Sequence, residues 1–118
     1  METLTNAKLL RIFLGEMDKI GHKPLYEAIV LKARENKMSG ATVLRGILSF
    51  GANSLVHSAK LFELSPDMPI IVEIVDSEEK MNAFIPMVEE MFEISQSGGL
   101  ITMEKAEVIR YRPTKKKE

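Results

Sequence analysis

The alternation of apolar and polar positions predicts a strand, a helix and a second strand in the first half of the chain. Residues 7–15 place apolar side chains on both faces of an extended segment and close on glycine. Apolar residues then recur at helical spacing over residues 24–38, starting with a proline that suits the first helical turn. Residues 40–51 are rich in β-branched and apolar residues and bounded by glycine, which predicts a strand with a weak point at Gly46.

The second half repeats this order. Residues 69–76 predict the third strand, and a helix with an apolar stripe follows over residues 78–92, with a kink expected near residues 82–86 because Pro86 clashes with the preceding turn. Residues 106–112 alternate strictly and predict the fourth strand, while residues 100–104 could open that last element.

The βαβ-βαβ order predicts an α+β fold, the ferredoxin-like split βαβ-βαβ sandwich with a four-stranded antiparallel sheet. Right-handed crossovers put both helices on one face and leave the other face bare. Because the first and third strands are apolar on both faces, we expect other copies of the chain to cover the bare face; the alternative is that unplaced segments fold over it. We expect one domain over residues 1–112 and a charged tail over 113–118.

Composition narrows the class of function. The 118 residues contain no Cys, so disulfides, thiolate metal sites and Cys nucleophiles are excluded. Sixteen Lys and Arg nearly balance 17 Asp and Glu, which argues against a nucleic-acid partner. No apolar run approaches the roughly 20 residues that cross a bilayer, so we expect a cytoplasmic protein without a membrane span.

Patterns for catalysis and metal binding are weak. The two His residues have no ligand partner at a recognisable spacing, and neither a nucleophile elbow nor a Walker A loop occurs. We therefore expect no metal site, no catalytic residue and no enzymatic activity.

Two small clusters of residues fit an anion-binding site better than a catalytic or metal site. A Gly-Gly turn followed by a hydroxyl residue offers unhindered backbone amides, and two alternating arginines on one strand face can grip a phosphate. Their residues are Gly98, Gly99, Leu100, Ile101 and Thr102 in the turn, and Arg110 and Arg112 in the predicted fourth strand. Taken separately, such features are more often a hairpin turn and a solvated edge.

The motifs Pro-Leu-Tyr-Glu-Ala-Ile at 24–29 and Gly-Ala-Thr-Val-Leu-Arg-Gly-Ile at 40–47, with Gly-Leu-Ile-Thr at 99–102, resemble the PII-like family of bacterial and archaeal proteins. The resemblance implies a trimer with an adenine-nucleotide effector in the clefts between subunits, and no other cofactor. It also implies a signalling role through residues 52–68, which would contact a target protein. The chain lacks the Thr-Gly-x-x-Gly-Asp-Gly-Lys phosphate loop of PII and the Tyr that PII proteins uridylylate, so we expect no such covalent switch.

Carried over position by position, the resemblance assigns residues to two sites. The effector site takes Gly46, Gly51, Gly98, Gly99, Leu100, Ile101, Thr102, Arg110 and Arg112, and the partner loop takes His57 and Lys60.

Two other interpretations remain open. RNA-recognition domains share this fold, but they carry stacking aromatic residues on the third strand, and residues 69–76 have none. A small enzyme would need acid and base groups, such as Glu73, His57 or Asp76, to converge at a subunit interface.

Overall fold

The computed structural model of the chain describes residues 4, 6–50, 56–58 and 68–114, with only the backbone described for 48–50 and 56–58. Within these ranges, no helix is long and apolar enough to cross a bilayer. The elements in chain order are β1 (Ala7–Gly15), β2 (Lys19–Ile20), β3 (Lys23–Pro24), α1 (Leu25–Glu35), β4 (Thr42–Arg45), β5 (Leu48–Phe50), β6 (Val56–Ser58), β7 (Pro69–Ser77), α2 (Glu78–Ser95) and β8 (Leu100–Lys105).

Four strands form the main sheet in the order β4-β7-β1-β8, with every neighbouring pair antiparallel. The first and third long strands therefore lie in the centre, and the second and fourth lie at the edges. This is the strand order of the ferredoxin-like split βαβ plan, so the predicted fold class is confirmed. The remaining strands form two small antiparallel hairpins, β2–β3 and β5–β6.

The hydrophobic core lies between the sheet and the two helices. Strands β1 and β7 each bury every second side chain on the helix side, as their alternating patterns require. The stripe on α2 completes the core with Met81, Phe84, Val88, Met91 and Phe92, and α1 contributes Leu25, Ile29 and Ala33. Helix α2 begins at a Ser77 cap, whose Oγ accepts from the Lys80 amide at 3.3 Å.

The prediction of the fourth strand over residues 106–112 is wrong, because the strand is β8, Leu100–Lys105, and residues 106–112 are not in a strand. Register explains the difference. Against β1, Leu100 lies opposite Phe13 and Ile101 opposite Ile12, which matches apolar with apolar across the pair.

The predicted weak point at Gly46 is confirmed, since β4 ends at Arg45 and the chain resumes a strand only at Leu48. The Gly46 amide donates to the carbonyl of Pro69 at 2.7 Å. A Cβ on Gly46 would lie 2.7 Å from Pro69 Cγ, so glycine lets the backbone approach the start of β7 closely.

Two hydrogen bonds attach the segment after β8 to the rest of the fold. The Ala106 amide donates to Ala7 O at 3.0 Å, and the Tyr111 hydroxyl donates to Ser39 O at 3.0 Å. Ser39 also donates from its amide to the buried carboxylate of Asp76 at 2.7 Å. The segment is thereby attached to the connection between α1 and β4.

Candidate functional site

Glycines and an ion pair lie at the hairpin end of the sheet, defined here as the end at which β1 and β4 finish and β7 and β8 begin. Gly46 packs on Pro69 there. Next to it, Arg45 Nε donates to Glu16 Oε1 at 3.0 Å, with 53% of the Arg45 side chain exposed. The Arg45 guanidinium and the tightly packed backbone at Gly46 therefore lie where the chain passes from β4 to the β5–β6 hairpin.

The sequence-predicted turn of Gly98 to Thr102 reaches the same hairpin end. A Cβ on Gly98 would meet nothing within 4 Å, whereas a Cβ on Gly99 would lie 2.7 Å from both Phe13 O and Phe92 Cε1. Neither glycine has a positive φ; the left-handed residue of this turn is Gln96, at φ 57°. Gly99 is therefore required by close packing, and the turn lacks the positive φ that a nest around these glycines would use.

Leu100, Ile101 and Thr102 lie in β8, at the edge of the sheet. Along an edge strand, alternate backbone amides point away from the neighbouring strand. Among the described residues, no strand pairs with the outer edge of β8, so amide donors point outward there, beside the Gly98 turn.

Arg110 and Arg112 lie at the opposite end, called the tail end, where β8 finishes. Both are exposed, and neither forms an ion pair with another described residue. Six residues of β8 separate the two ends, which corresponds to roughly 17 Å of strand. One copy therefore cannot bring these arginines and the Gly98 turn to the same phosphate group.

The face of the sheet opposite the helices, called the open face, combines apolar side chains with one charged cluster. Leu44 of β4 is 43% exposed there and Leu100 of β8 is 56% exposed. At the centre, Arg11 donates from Nε to Glu73 Oε2 and from Nη1 to Glu104 Oε1, each at 3.0 Å. The hydrogen bond to Glu73, supported by Glu104, raises the pKa of Arg11 above its ordinary value.

The predicted partner loop falls largely outside the described residues. Gly51 and Lys60 lie outside them, and for His57 the structure gives the backbone alone, in β6 opposite Ser49. The segment ends at Met68, which is buried and accepts from the Glu16 amide at 2.8 Å. The roles of Gly51, His57 and Lys60 stay predictions.

Comparison with protein families matches residues 7–108 to DUF190, a family described as "Uncharacterized ACR". The chain belongs to the DUF190 family. Related members include a UPF0166 protein of Aquifex aeolicus, 39% identical over 106 residues that cover 90% of this chain and 96% of that protein. A UPF0166 protein of Methanocaldococcus jannaschii is 36% identical over 98 residues, which cover 83% and 87% of the two chains.

Among solved structures, this family member is similar to CPII, a nitrogen regulatory PII-like protein from Thiomonas intermedia, bound to ADP, AMP and bicarbonate. The TM-score is 0.68 at 18% identity, with 92% of each chain covered. A protein from Thermus thermophilus described as PII-like has a TM-score of 0.57 at 17% identity, covering 85% of this chain and 86% of that one. The predicted resemblance to the PII-like family is confirmed at the level of fold.

Sequence reasoning missed the charged cluster on the open face. Arg11 and Glu73 are 62 positions apart, and Arg11 and Glu104 are 93 apart, so no local motif links them. The available signal was a charged residue in the interior of two predicted apolar strands, Arg11 in residues 7–15 and Glu73 in residues 69–76, which is unusual for buried faces.

Proposed function

We propose that the chain is a PII-like regulatory protein: a cytoplasmic, non-enzymatic homotrimer that binds a small anionic effector between its subunits. The effector we propose is an adenine nucleotide, and we propose that residues 52–68 carry its signal to a target protein. The observation that carries this proposal is the similarity of the fold to CPII, whose structure holds ADP, AMP and bicarbonate.

The distribution of the candidate anion groups supports a site shared between subunits. The amide donors of the Gly98 turn lie at the hairpin end, and Arg110 and Arg112 lie at the tail end of the same copy. A phosphate chain can meet both only where the hairpin end of one copy lies beside the tail end of its neighbour. The negative charge of a nucleotide would then offset the charge of the two arginines.

The open face supports assembly through the sheet. It exposes Leu44 and Leu100 beside the half-buried Leu9, Phe13 and Ile71, which together form an apolar surface. Surfaces of this kind mark sites of association. We propose that the occupant of this face is the sheet of neighbouring copies.

Isothermal titration calorimetry with ATP, ADP and AMP tests the effector. We expect Arg110→Ala combined with Arg112→Ala to weaken nucleotide binding at least about tenfold, because charge-assisted hydrogen bonds are lost. Arg34→Ala, which removes a guanidinium from exposed α1, is the matched control and leaves binding unchanged. If a trimeric wild-type protein bound none of the three nucleotides, the nucleotide part of the proposal would be refuted.

Analytical ultracentrifugation tests the assembly. Leu44 on the open face and Leu31 on α1 are exposed almost equally, at 43% and 41%. Leu44→Glu places a charge on the proposed interface and is expected to give folded monomers, whereas Leu31→Glu is expected to leave the trimer intact. Equal behaviour of the two variants contradicts assembly through the sheet.

A further inference from the structure

The open face carries three charged side chains among the residues of β1, β4, β7 and β8, and all three belong to one hydrogen-bonded cluster. Arg11 lies directly opposite Glu73 in the register of β1 and β7, and Glu104 approaches from β8. The side chains are 37%, 31% and 61% exposed, in the order Arg11, Glu73, Glu104. The cluster is thus half-covered in a single copy. Thr42 and Thr102 flank the Arg11–Glu73 pair in the sheet, and the other neighbouring side chains on the open face are apolar.

Arg11 changes the formal charge of the cluster from −2 to −1 and occupies one oxygen of each carboxylate. In a single copy this pairing matters little, because water still reaches all three groups and screens them. When another protein surface covers the face, the same carboxylates lose water. An unpaired carboxylate is then far more costly than a paired one.

We propose that Arg11 is the residue that allows a second copy of this chain to cover the open face, by keeping the central carboxylates paired as water is removed. The inference rests on the proposed assembly through the sheet and assigns it a specificity-determining residue. A neighbouring copy is the occupant because Leu44, Ile71, Phe13 and Leu100 form one apolar row across all four strands, and such a row is complementary to the same row of another copy. A partner with a strongly basic surface would instead suit two unpaired carboxylates.

A charge-rescue series in analytical ultracentrifugation tests this. Arg11→Met keeps an unbranched apolar stem and removes the charge, and we expect it to weaken association by about a hundredfold or more. The pairing matters little in a single copy, so the far-UV circular dichroism spectrum of this variant should match that of the wild type. The melting temperature of the dissociated variant should lie within about 5 °C of that of wild-type protein diluted until it is monomeric.

The triple variant Arg11→Met, Glu73→Gln, Glu104→Gln removes every charge of the cluster and is expected to restore association. Arg34→Met, which deletes an exposed arginine of α1, is the control and should associate like the wild type.

The outcomes are distinct. Arg11→Met that associates as tightly as the wild type overturns the inference while leaving the proposed assembly intact. A triple variant that stays dissociated also overturns the inference, because Arg11 would then act through packing and not through its charge. An Arg11→Met chain that unfolds makes Arg11 a folding residue and also overturns the inference. A monomeric wild-type protein refutes the assembly itself, and the inference with it.

Discussion

The two adjacent glycines at the start of β8 offer a test of whether packing or ligand binding requires them. A methyl group on Gly98 would enter open space, whereas one on Gly99 would lie 2.7 Å from the carbonyl oxygen of Phe13 and 2.7 Å from a ring carbon of Phe92. Phe92 is only 7% exposed and belongs to the core. The ring and the β1 backbone are therefore both constrained.

We expect Gly99→Ala to lower the free energy of unfolding by about 1 to 3 kcal/mol, the usual cost of an added methyl group in a well-packed region. For a chain of this length, that corresponds to a fall in melting temperature of about 4 to 12 °C. Gly98→Ala, at a position without a positive φ, should leave stability unchanged or raise it by up to about 1 kcal/mol, because alanine reduces the freedom of the unfolded chain.

Urea unfolding followed by circular dichroism measures both variants, at one protomer concentration so that any association contributes equally. Equal midpoints for Gly98→Ala and Gly99→Ala would refute the packing argument. A normal midpoint for Gly98→Ala combined with weaker nucleotide binding would instead assign this glycine to the effector site.

Three further predictions concern the core, a helix cap and the subunit arrangement. Phe84→Ala should lower the free energy of unfolding by about 3 to 5 kcal/mol, because it opens a cavity at a residue that is 1% exposed; a loss below about 1 kcal/mol in urea unfolding contradicts this. Ser77→Ala should cost about 1 kcal/mol through loss of the cap on α2, and an unchanged melting curve would show that the cap contributes nothing. Since the chain has no native Cys, Gly98→Cys with Arg112→Cys allows a short bismaleimide to join only these two positions. We expect dimers and trimers on a denaturing gel, and monomers alone would refute the arrangement of hairpin end beside tail end.

The sequence could predict the elements whose pattern is local. Strands β1 and β7 and helix α2 are each defined by their own periodicity, and Gly46 marks a break that backbone geometry requires. The fourth strand could not be placed, because residues 100–105 and 106–112 both look like strands and only pairing with β1 distinguishes them. That pairing joins segments at opposite ends of the chain.

The candidate site was predicted as residue types and not as an arrangement. The sequence supplies glycines and arginines as candidate residues, but their placement at opposite ends of the sheet depends on where β8 lies. The difference between Gly98 and Gly99 depends on Phe92, which reaches the turn from α2. Neither the position of β8 nor the contact with Phe92 can be predicted from the residues next to these glycines in the sequence.

The central pairing of β1 with β7 also sets the pace of folding. These strands pair over nine residues, yet Arg11 and Glu73 are separated by 62 positions, so the innermost ladder forms only after a long loop has closed. Domains dominated by such distant pairings fold in milliseconds to seconds, slower than helical bundles of equal stability. Until that loop closes, β1 is an unpaired apolar segment, and exposed segments of this kind are prone to aggregation.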